Sequence, residues 1–292
     1  MKFAPFEYVA PRRLEEAMDV LAESAGDGSV ILAGGQSLLP LMATRAVTPH
    51  RLIDINGLSD EMAGSTWAED HLRIGALTRQ RAVEQDARIA QRCPLLSEAV
   101  AMVGRPAVRT RGTIGGSLAH ADPAGEIPVV ARALDAEMTI VSRRGVRTVP
   151  AAEFFARPQR TTLMDDEILT EVRVPLLPDG SGSAFVEVSR RFGDRCIVGA
   201  AAVVTLDQGR VADARIALAN VAGTPLRAGR AEALLRGEDA SPGLVSEAAR
   251  IAAEDLTPPS DLHASDEYRQ HVVAVLARRA LTTAIDRATA PA

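Results

Sequence analysis

Two segments of this chain carry paired glycines followed by serine and leucine, and they constrain the fold more than any other feature. The first glycine segment reads LAGGQSLLP over residues 32–40, and the second reads TIGGSLAHADPAGEIP over residues 113–128. Paired glycines allow positive φ and let backbone N–H groups approach a ligand without a side chain in between. Successive N–H groups in such a turn form a concavity that suits a phosphate. Two such segments in one chain predict two cradles that face one diphosphate.

The sequence around the first glycine segment predicts a strand, a glycine turn and a helix N-terminus in succession. A short apolar run at residues 30–32 is bounded by glycines, and Ser37 is a suitable N-cap for the helix that follows. The free N–H groups and the positive dipole end of such a helix favour phosphate. The predicted elements of this first β-α-β-α-β unit are strands at residues 3–9, 30–32 and 51–55 and helices at residues 13–24 and 38–44.

The second glycine segment ends in acidic residues whose roles the pattern leaves open. Pro123 suits the first position of a helix, with Asp122 as its N-cap, so we expect a helix over residues 124–134 that Pro128 delays or kinks. Glu126 is either a ligand contact or an acid favoured by the helix dipole. His120 is more typical of a structural hydrogen-bonding residue than of a catalytic one.

The remaining sequence predicts two further groups of elements, separated by a linker at residues 176–182 that is rich in proline and glycine. Three successive strands followed by helices indicate an α+β domain after this linker. Before the linker we expect hairpins at residues 62–76 and 137–149, helices at residues 78–86, with Thr78 as the cap, and 94–103, and a strand at residues 168–174. After it we expect strands at residues 183–189, 199–206 and 210–218 and helices at residues 226–235, 242–253 and 267–286.

Composition and charge exclude several classes of function. The net charge of −5 is spread without basic clusters, which argues against a nucleic-acid partner. The only cysteines, Cys93 and Cys196, are too few for an iron–sulfur cluster and lack metal-site spacing. The N-terminus has no apolar signal region, and no apolar run reaches the roughly 20 residues of a membrane span. We therefore expect a cytoplasmic protein.

Both glycine segments resemble those of the flavoprotein subunit of the molybdenum hydroxylases. These are the medium subunits of carbon monoxide, xanthine, nicotine and quinoline dehydrogenases. The resemblance covers essentially the whole chain. It extends to Phe6, Tyr8 and Pro11 near the N-terminus and to the motifs RLIDIN, LRIGALT, PAVRTRG and ASDEYRQHV.

The resemblance implies an α+β fold with two domains. Residues 1–177 would form an FAD-binding domain of the vanillyl-alcohol-oxidase or PCMH type, with two α/β subdomains at about residues 1–57 and 58–177. Residues 178–292 would form a C-terminal domain like that of the carbon monoxide dehydrogenase flavoprotein. This domain would contain a three-stranded antiparallel sheet and a helical bundle.

The resemblance also implies that FAD is the cofactor and that both glycine segments hold its diphosphate through backbone amides. It assigns no catalytic side chain and no metal ligand. Glu126 falls where relatives place an acid that contacts the cofactor, and Asp122 lies in the same matching stretch. The implied cofactor-binding residues are Ala33, Gly34, Gly35, Gln36, Ser37, Thr113, Ile114, Gly115, Gly116, Ser117, Asp122 and Glu126.

The chain departs from the family pattern at two positions near the expected flavin. Many relatives carry a lysine in the first strand of the C-terminal domain, where this chain reads FVEVSRR over residues 185–191. Some relatives also place an aromatic residue after Gly-Asp, where this chain has Arg195. Whether Arg190, Arg191 or Arg195 takes over either role stays open.

By resemblance, the chain is an electron-transfer subunit of an oxidoreductase. It would take electrons from a small iron–sulfur subunit and pass them through FAD to NAD, oxygen or a quinone. A large molybdopterin subunit would oxidise the substrate, in a heterotrimer or a dimer of heterotrimers. Two alternatives remain: a stand-alone flavin-dependent NAD(P)H reductase, and a non-catalytic nucleotide-binding scaffold subunit.

Overall fold

The computed structural model describes residues 2–254 and 256–290, so the outer ends of the predicted domains, residues 1 and 292, lie outside it. The N-terminal unit is a three-stranded parallel sheet in the order β1-β3-β2. The predicted β-α-β-α-β succession is confirmed. Its elements are β1 Glu7–Val9, α1 Leu14–Glu23, β2 Val30–Leu32, α2 Leu38–Ala43 and β3 Arg51–Asp54.

The middle unit is built on a five-stranded antiparallel sheet in the order β4-β5-β10-β6-β7. A short two-stranded hairpin, β8-β9, lies apart from this sheet. The unit contains a 3₁₀ helix Asn56–Leu58 and then α3 Ser59–Met62, β4 Ser65–Trp67, β5 His71–Gly75, α4 Gln80–Gln85, α5 Ala87–Arg92, α6 Pro94–Met102, α7 Pro106–Arg109, α8 Ile114–His120, α9 Glu126–Ala133, β6 Glu137–Ser142, β7 Gly145–Pro150, α10 Ala151–Phe154, β8 Phe155–Arg157, β9 Arg160–Thr161 and β10 Ile168–Pro175.

The second glycine segment folds as two helices, not as a loop followed by one helix. Both of its paired glycines lie inside α8, whose N-cap Thr113 accepts a hydrogen bond from the N–H of Gly116. The helix ends at His120, and its C-cap Ala121 adopts the left-handed conformation with φ of 50°. The expected glycine turn is therefore the first turn of a helix.

The prediction that Asp122 is the N-cap of this helix is wrong. Helix α9 begins at Glu126, and Gly125 holds the N-cap position. The Asp122 carboxylate instead accepts the N–H of Ala124 within the turn between the two helices. Pro128 falls in the first turn of α9, where its missing N–H costs no helical hydrogen bond. The start of the helix is thus shifted so that the proline is tolerated.

Two other predicted caps make no side-chain capping bond, although Ser37 does hold the N-cap position of α2. Ser37 precedes α2 but accepts no N–H with its side chain. Thr78 lies two residues before α4, and its hydroxyl bonds the backbone of Gly64, both as donor and as acceptor. The Thr78 hydroxyl is therefore used in a tertiary contact with Gly64 and is not available to cap α4.

The C-terminal unit is an antiparallel sheet in the order β11-β12-β13-β14, with α11 and α13 packed on it and α12 packed against these two helices. It has one more strand than predicted, because two residues at the start of the predicted helix pair with β13 instead. The elements are β11 Ser181–Val188, β12 Val198–Asp207, β13 Arg210–Ala219, β14 Leu226–Arg227, α11 Gly229–Leu235, α12 Pro242–Ala252 and α13 Asp266–Thr289.

The C-terminal sheet is buried on both faces. Alternate residues of β12 divide between two cores: Ala200 and Ala202 belong to the core with α12 and α13, whereas Ala201 and Val203 belong to the N-terminal core. Helices α6 and α9 cover the second face. Burial on both faces explains why this strand reads as a continuous run of small apolar residues.

None of the helices in the described ranges is both long enough and apolar enough to span a membrane.

Candidate functional site

A cleft of about 690 Å³ opens where the N-terminal unit faces α8. This volume lies within the range of pockets that bind small molecules and cofactors. Both glycine segments line the cleft, as the sequence predicts. The predicted site residues at its wall are Ala33, Gly34, Gly35, Gln36, Ser37, Thr113, Gly115, Gly116 and Ser117.

Three predicted site residues are not part of this lining. Ile114 is 1% exposed and packs in the apolar core beside Ile74 and Leu118. Asp122 forms an ion pair with Arg195. Glu126 is 8% exposed at the first position of α9.

The first glycine segment presents unused backbone donors to the cleft. Gly35 has φ of +74°, a conformation that favours glycine. Within the described part of the chain, no hydrogen bond takes up the N–H groups of Gly35, Gln36 or Ser37. Gly35 is half-buried, whereas Gln36 and Ser37 are exposed at the cleft. Three successive N–H groups without a partner in the protein are suited to an anionic ligand.

The second glycine segment differs, because its backbone donors are already engaged. In this structure the N–H groups of residues 114–117 all have acceptors within the protein. The engaged pairs are Ile114 N–H with the Thr78 carbonyl at 3.0 Å, Gly115 N–H with the Ala76 carbonyl at 2.8 Å, Gly116 N–H with Thr113 Oγ1 at 3.0 Å, and Ser117 N–H with the Thr113 carbonyl at 3.2 Å.

The hydroxyl of Ser117 is the donor that the second segment contributes. Gln80 Nε2 donates to Ser117 Oγ at 2.8 Å, which leaves the Ser117 hydroxyl hydrogen free to point to another acceptor. The other amide atom, Gln80 Oε1, is buried without a partner among the described residues. Gln80 also lines the cleft, and no motif in the sequence had singled it out.

Two of the glycines also allow close packing of the backbone around the cleft. A Cβ on Gly34 would lie 2.4 Å from the Arg111 carbonyl oxygen and 2.8 Å from Gly112 Cα. A Cβ on Gly115 would lie 2.4 Å from Ala76 Cβ. The first segment therefore needs glycine at position 35 for its φ and at position 34 for its contact with residues 111 and 112, which lead directly into the second segment.

A polar network fixes the distance between the two segments. Asn56 Nδ2 donates to the Ala33 carbonyl at 2.8 Å, and Arg79 Nη2 donates to Asn56 Oδ1 at 2.7 Å. Arg79 Nη1 also donates to the Arg111 carbonyl at 2.6 Å. No sequence motif points to Arg79. The only sequence signal for Asn56 is its place in the motif RLIDIN.

The hairpin β8-β9 forms a further wall of the cleft. Pro158 and Gln159 at its turn line the cleft, and so does Met164, which follows the hairpin. The N–H of Gln159, at the turn, donates to the carbonyl of Ala121 at 3.0 Å. The hairpin is therefore attached to the end of α8. Sequence reasoning assigned no element to these residues.

The turn between α8 and α9 is held by the C-terminal unit. Arg195 pairs with Asp122, and Cys196 Sγ donates to the Ala124 carbonyl at 3.3 Å. The N–H of Asn220 donates to the Pro123 carbonyl at 2.8 Å. Arg195 is thus committed to Asp122, while Arg190 and Arg191 follow β11 on the surface.

Two buried carboxyl groups lie near this turn. Burial, with a smaller contribution from the charge of Asp122, raises the pKa of Glu126 to about 7. Burial, with a smaller contribution from the charge of Glu126, raises the pKa of Glu187 to about 8. The sequence analysis had not marked Glu187.

Metal ligands are not grouped in the described residues, where no cluster of three or more His, Cys, Asp or Glu side chains could hold an ion. Cys93 and Cys196 are both buried and unpaired with each other. Burial raises the pKa of the Cys93 thiol to about 12. Neither thiol is thereby suited to nucleophilic chemistry.

A cofactor-sized cleft in an α+β protein, with free amides at a strand-to-helix turn, is suited to a nucleotide cofactor. The comparisons with known proteins are more specific. Residues 4–177 match the family described as the FAD binding domain in molybdopterin dehydrogenase. Residues 183–284 match the carbon monoxide dehydrogenase flavoprotein C-terminal domain.

Individual relatives agree along their full length. The 6-hydroxypseudooxynicotine dehydrogenase complex subunit alpha of Paenarthrobacter nicotinovorans is 42% identical, over 99% of this chain and 97% of its own. A solved structure of carbon monoxide dehydrogenase from Hydrogenophaga pseudoflava has a TM-score of 0.95 and 38% identity, covering 98% of this chain and 99% of that one. A crystal structure of quinoline 2-oxidoreductase from Pseudomonas putida 86 has a TM-score of 0.93 and 38% identity, covering 99% of this chain and 100% of that one.

The chain belongs to the FAD-binding medium subunits of the molybdenum hydroxylases. It is an oxidoreductase subunit, and FAD is its cofactor. The fold class implied by the sequence resemblance is confirmed.

Proposed function

We propose that the first glycine segment holds the FAD diphosphate with the N–H groups of Gly35, Gln36 and Ser37. The observation that carries this assignment is that these three residues line the cleft and that their N–H groups have no acceptor in the described chain. They sit at the N-terminal end of α2, where the helix dipole adds to their attraction for a phosphate. Ala33 and Gly34 shape the same turn.

The second glycine segment binds the cofactor in a different way. Gly115 and Gly116 offer a surface without side chains, and the Ser117 hydroxyl donates to a phosphate or ribityl oxygen. Thr113 and Ile114 act indirectly, because Thr113 caps α8 and Ile114 anchors it in the core. Glu126 is assigned as a polar contact of the cofactor, and Asp122 acts through its ion pair with Arg195.

The bound flavin supplies the redox chemistry, and this chain binds and orients it. In the proposed assembly the chain receives electrons from a small iron–sulfur subunit and delivers them to NAD, oxygen or a quinone. Substrate oxidation takes place in a large molybdenum-containing subunit. We assign the flavin-binding part to residues 1–177, with subdomains at about residues 1–57 and 58–177, and the C-terminal domain to residues 178–292.

The test is to purify the chain with and without its candidate partner subunits. We expect a yellow protein with about one FAD per chain that dithionite bleaches, and slow NADH oxidation by the isolated chain. Colourless protein that takes up no added FAD contradicts the assignment and favours a scaffold subunit. Rapid NADH oxidation without partners favours a stand-alone reductase.

A further inference from the structure

Arg160 brings an unpaired positive charge to the cleft. The residue is part of the cleft lining and is exposed. Within residues 2–254 and 256–290 its guanidinium group takes part in no ion pair and no hydrogen bond. A guanidinium keeps its charge at any physiological pH and carries five N–H donors. This side chain is therefore available to an anionic ligand in the cleft.

The other titratable side chains in the described lining supply no positive charge. Burial lowers the pKa of His120 below its usual value, so its ring is neutral near pH 7. The charge of Glu167 is matched by Arg147, which donates to its two carboxylate oxygens at 2.8 and 2.7 Å. Asp165 is exposed and accepts hydrogen bonds only, so it suits a hydroxyl or amino group rather than a phosphate. Arg160 is thus the cation that the described lining offers to an anion.

The backbone that carries Arg160 is fixed by contacts at both ends of the hairpin β8-β9. At the turn, the N–H of Gln159 donates to the carbonyl of Ala121 at the end of α8. A Cβ on Gly223 of the C-terminal unit would lie 3.1 Å from Pro158 Cδ, so this unit touches the turn as well. At the base, the N–H of Thr162 donates to the Phe154 carbonyl at 2.9 Å. The guanidinium therefore extends from an anchored position.

The stability of the hairpin does not explain an arginine at this position. Arg160 is the strand partner of Arg157, so two positive charges stand opposite each other. Like charges in such a pair destabilise a hairpin. Within the described chain, Arg157 has no ion pair that would offset this repulsion. A ligand of opposite charge would do so.

We propose that Arg160 binds the diphosphate of FAD through its guanidinium group. The assignment rests on the proposed function, in which the N–H groups of Gly35, Gln36 and Ser37 bind the same diphosphate. Backbone amides donate hydrogen bonds but carry no net charge, whereas a guanidinium supplies both a charge and a planar fork that matches phosphate oxygens. Arg160 thereby makes the cleft selective for a flavin that carries a diphosphate.

The experiment is a titration of the cofactor-free full chain with FAD, followed by flavin fluorescence. Arg160→Gln should raise the FAD dissociation constant about tenfold, at the lower end for a hydrogen bond to a charged group. The matched control is Arg157→Gln, which removes the same charge from the same hairpin at an exposed residue outside the lining. This variant should bind FAD as the wild type does. Equal FAD affinity in the two variants overturns the proposal.

The salt dependence of FAD binding tests the charge itself. Raising the salt concentration from about 0.05 M to about 0.5 M screens a contact between charges. The dissociation constant of the wild type should therefore rise more steeply than that of Arg160→Gln. Arg160→Lys keeps the charge but not the fork, so it should keep the salt dependence and recover part of the affinity. Parallel salt dependences in the wild type and Arg160→Gln contradict the contact.

ADP separates this inference from the proposed function, because it carries a diphosphate without a flavin. In calorimetric titrations we expect Arg160→Gln to bind ADP more weakly than the wild type and Arg157→Gln. ADP binding that is unchanged in Arg160→Gln overturns the diphosphate contact. If the wild type binds no FAD but Arg160→Gln still weakens ADP binding, the proposed function fails and the anion contact of Arg160 stands. If the wild type binds neither ligand, both fail.

Discussion

Gly34 packs against residues 111 and 112, which lead directly into the second glycine segment, and its lack of a side chain permits the contact. In Gly34→Ala the new Cβ would meet backbone atoms of Arg111 and Gly112 at 2.4 and 2.8 Å. Backbone atoms cannot rotate away as a side chain can, so the first segment must shift relative to Ser117. We expect the FAD dissociation constant to rise by at least about tenfold, or about 1.4 kcal/mol, in a titration followed by flavin fluorescence.

The matched control is Gly243→Ala. Gly243 lies in the first turn of α12, with no atom within 4 Å of a Cβ placed there. The extra methyl group should leave FAD affinity unchanged, since it is distant from the cleft lining. Equal FAD affinity in Gly34→Ala and Gly243→Ala would refute the importance assigned to the contact of Gly34 with residues 111 and 112.

At this scale the sequence predicted which residue types line the cleft but not how they bond. The glycine pairs were recognisable because their chemistry is local. The N–H groups of Ile114 and Gly115 are taken by the carbonyls of Thr78 and Ala76, which are distant in sequence. Gln80 escaped notice because an ordinary glutamine carries no pattern until its partner Ser117 is placed beside it.

At the scale of elements, α8 joins the cleft to the core, and Thr113 secures its first turn. In Thr113→Val the Oγ1 acceptor of the Gly116 N–H is lost with little change in volume. Loss of such an N-cap costs about 1 kcal/mol, which urea denaturation should detect. Thr113→Ser keeps the oxygen and should recover most of this loss; a serine variant as unstable as the valine variant would argue against capping.

Element boundaries were predictable where one local signal dominated and not where two competed. The strand over residues 30–32 was found because glycines bound it on both sides. The helix predicted from Asp122 starts later, since the left-handed Ala121 and the position of Pro128 both depend on the packed turn. Strand β14 has two residues, and only its pairing with β13 distinguishes it from the start of a helix.

At the scale of the whole molecule, the C-terminal sheet belongs to two cores at once. Its inner strands contribute one face to the core with α12 and α13 and the other to the N-terminal core. Separating the units would expose the second face, which includes Ala201, Val203 and Ala217. The linker that the sequence marks as a boundary thus joins units that share one buried sheet. We therefore expect the whole chain to unfold cooperatively.

Gly182→Ala tests this coupling, because Gly182 packs against α13, on the sheet face opposite the N-terminal core. Its Cβ would lie 2.0 Å from the Ala284 carbonyl oxygen in α13, so the helix must shift, at a cost of about 1–3 kcal/mol. Trp67, the single tryptophan, lies in β4 of the middle unit and reports on the other core. In urea unfolding we expect Trp67 fluorescence and far-UV circular dichroism to show one coincident transition. In Gly182→Ala both probes should shift to lower urea concentration by the same amount. Gly229→Ala, with open space around its Cβ, should move neither. A shift in circular dichroism that leaves the Trp67 transition in place would mean that the two cores unfold independently.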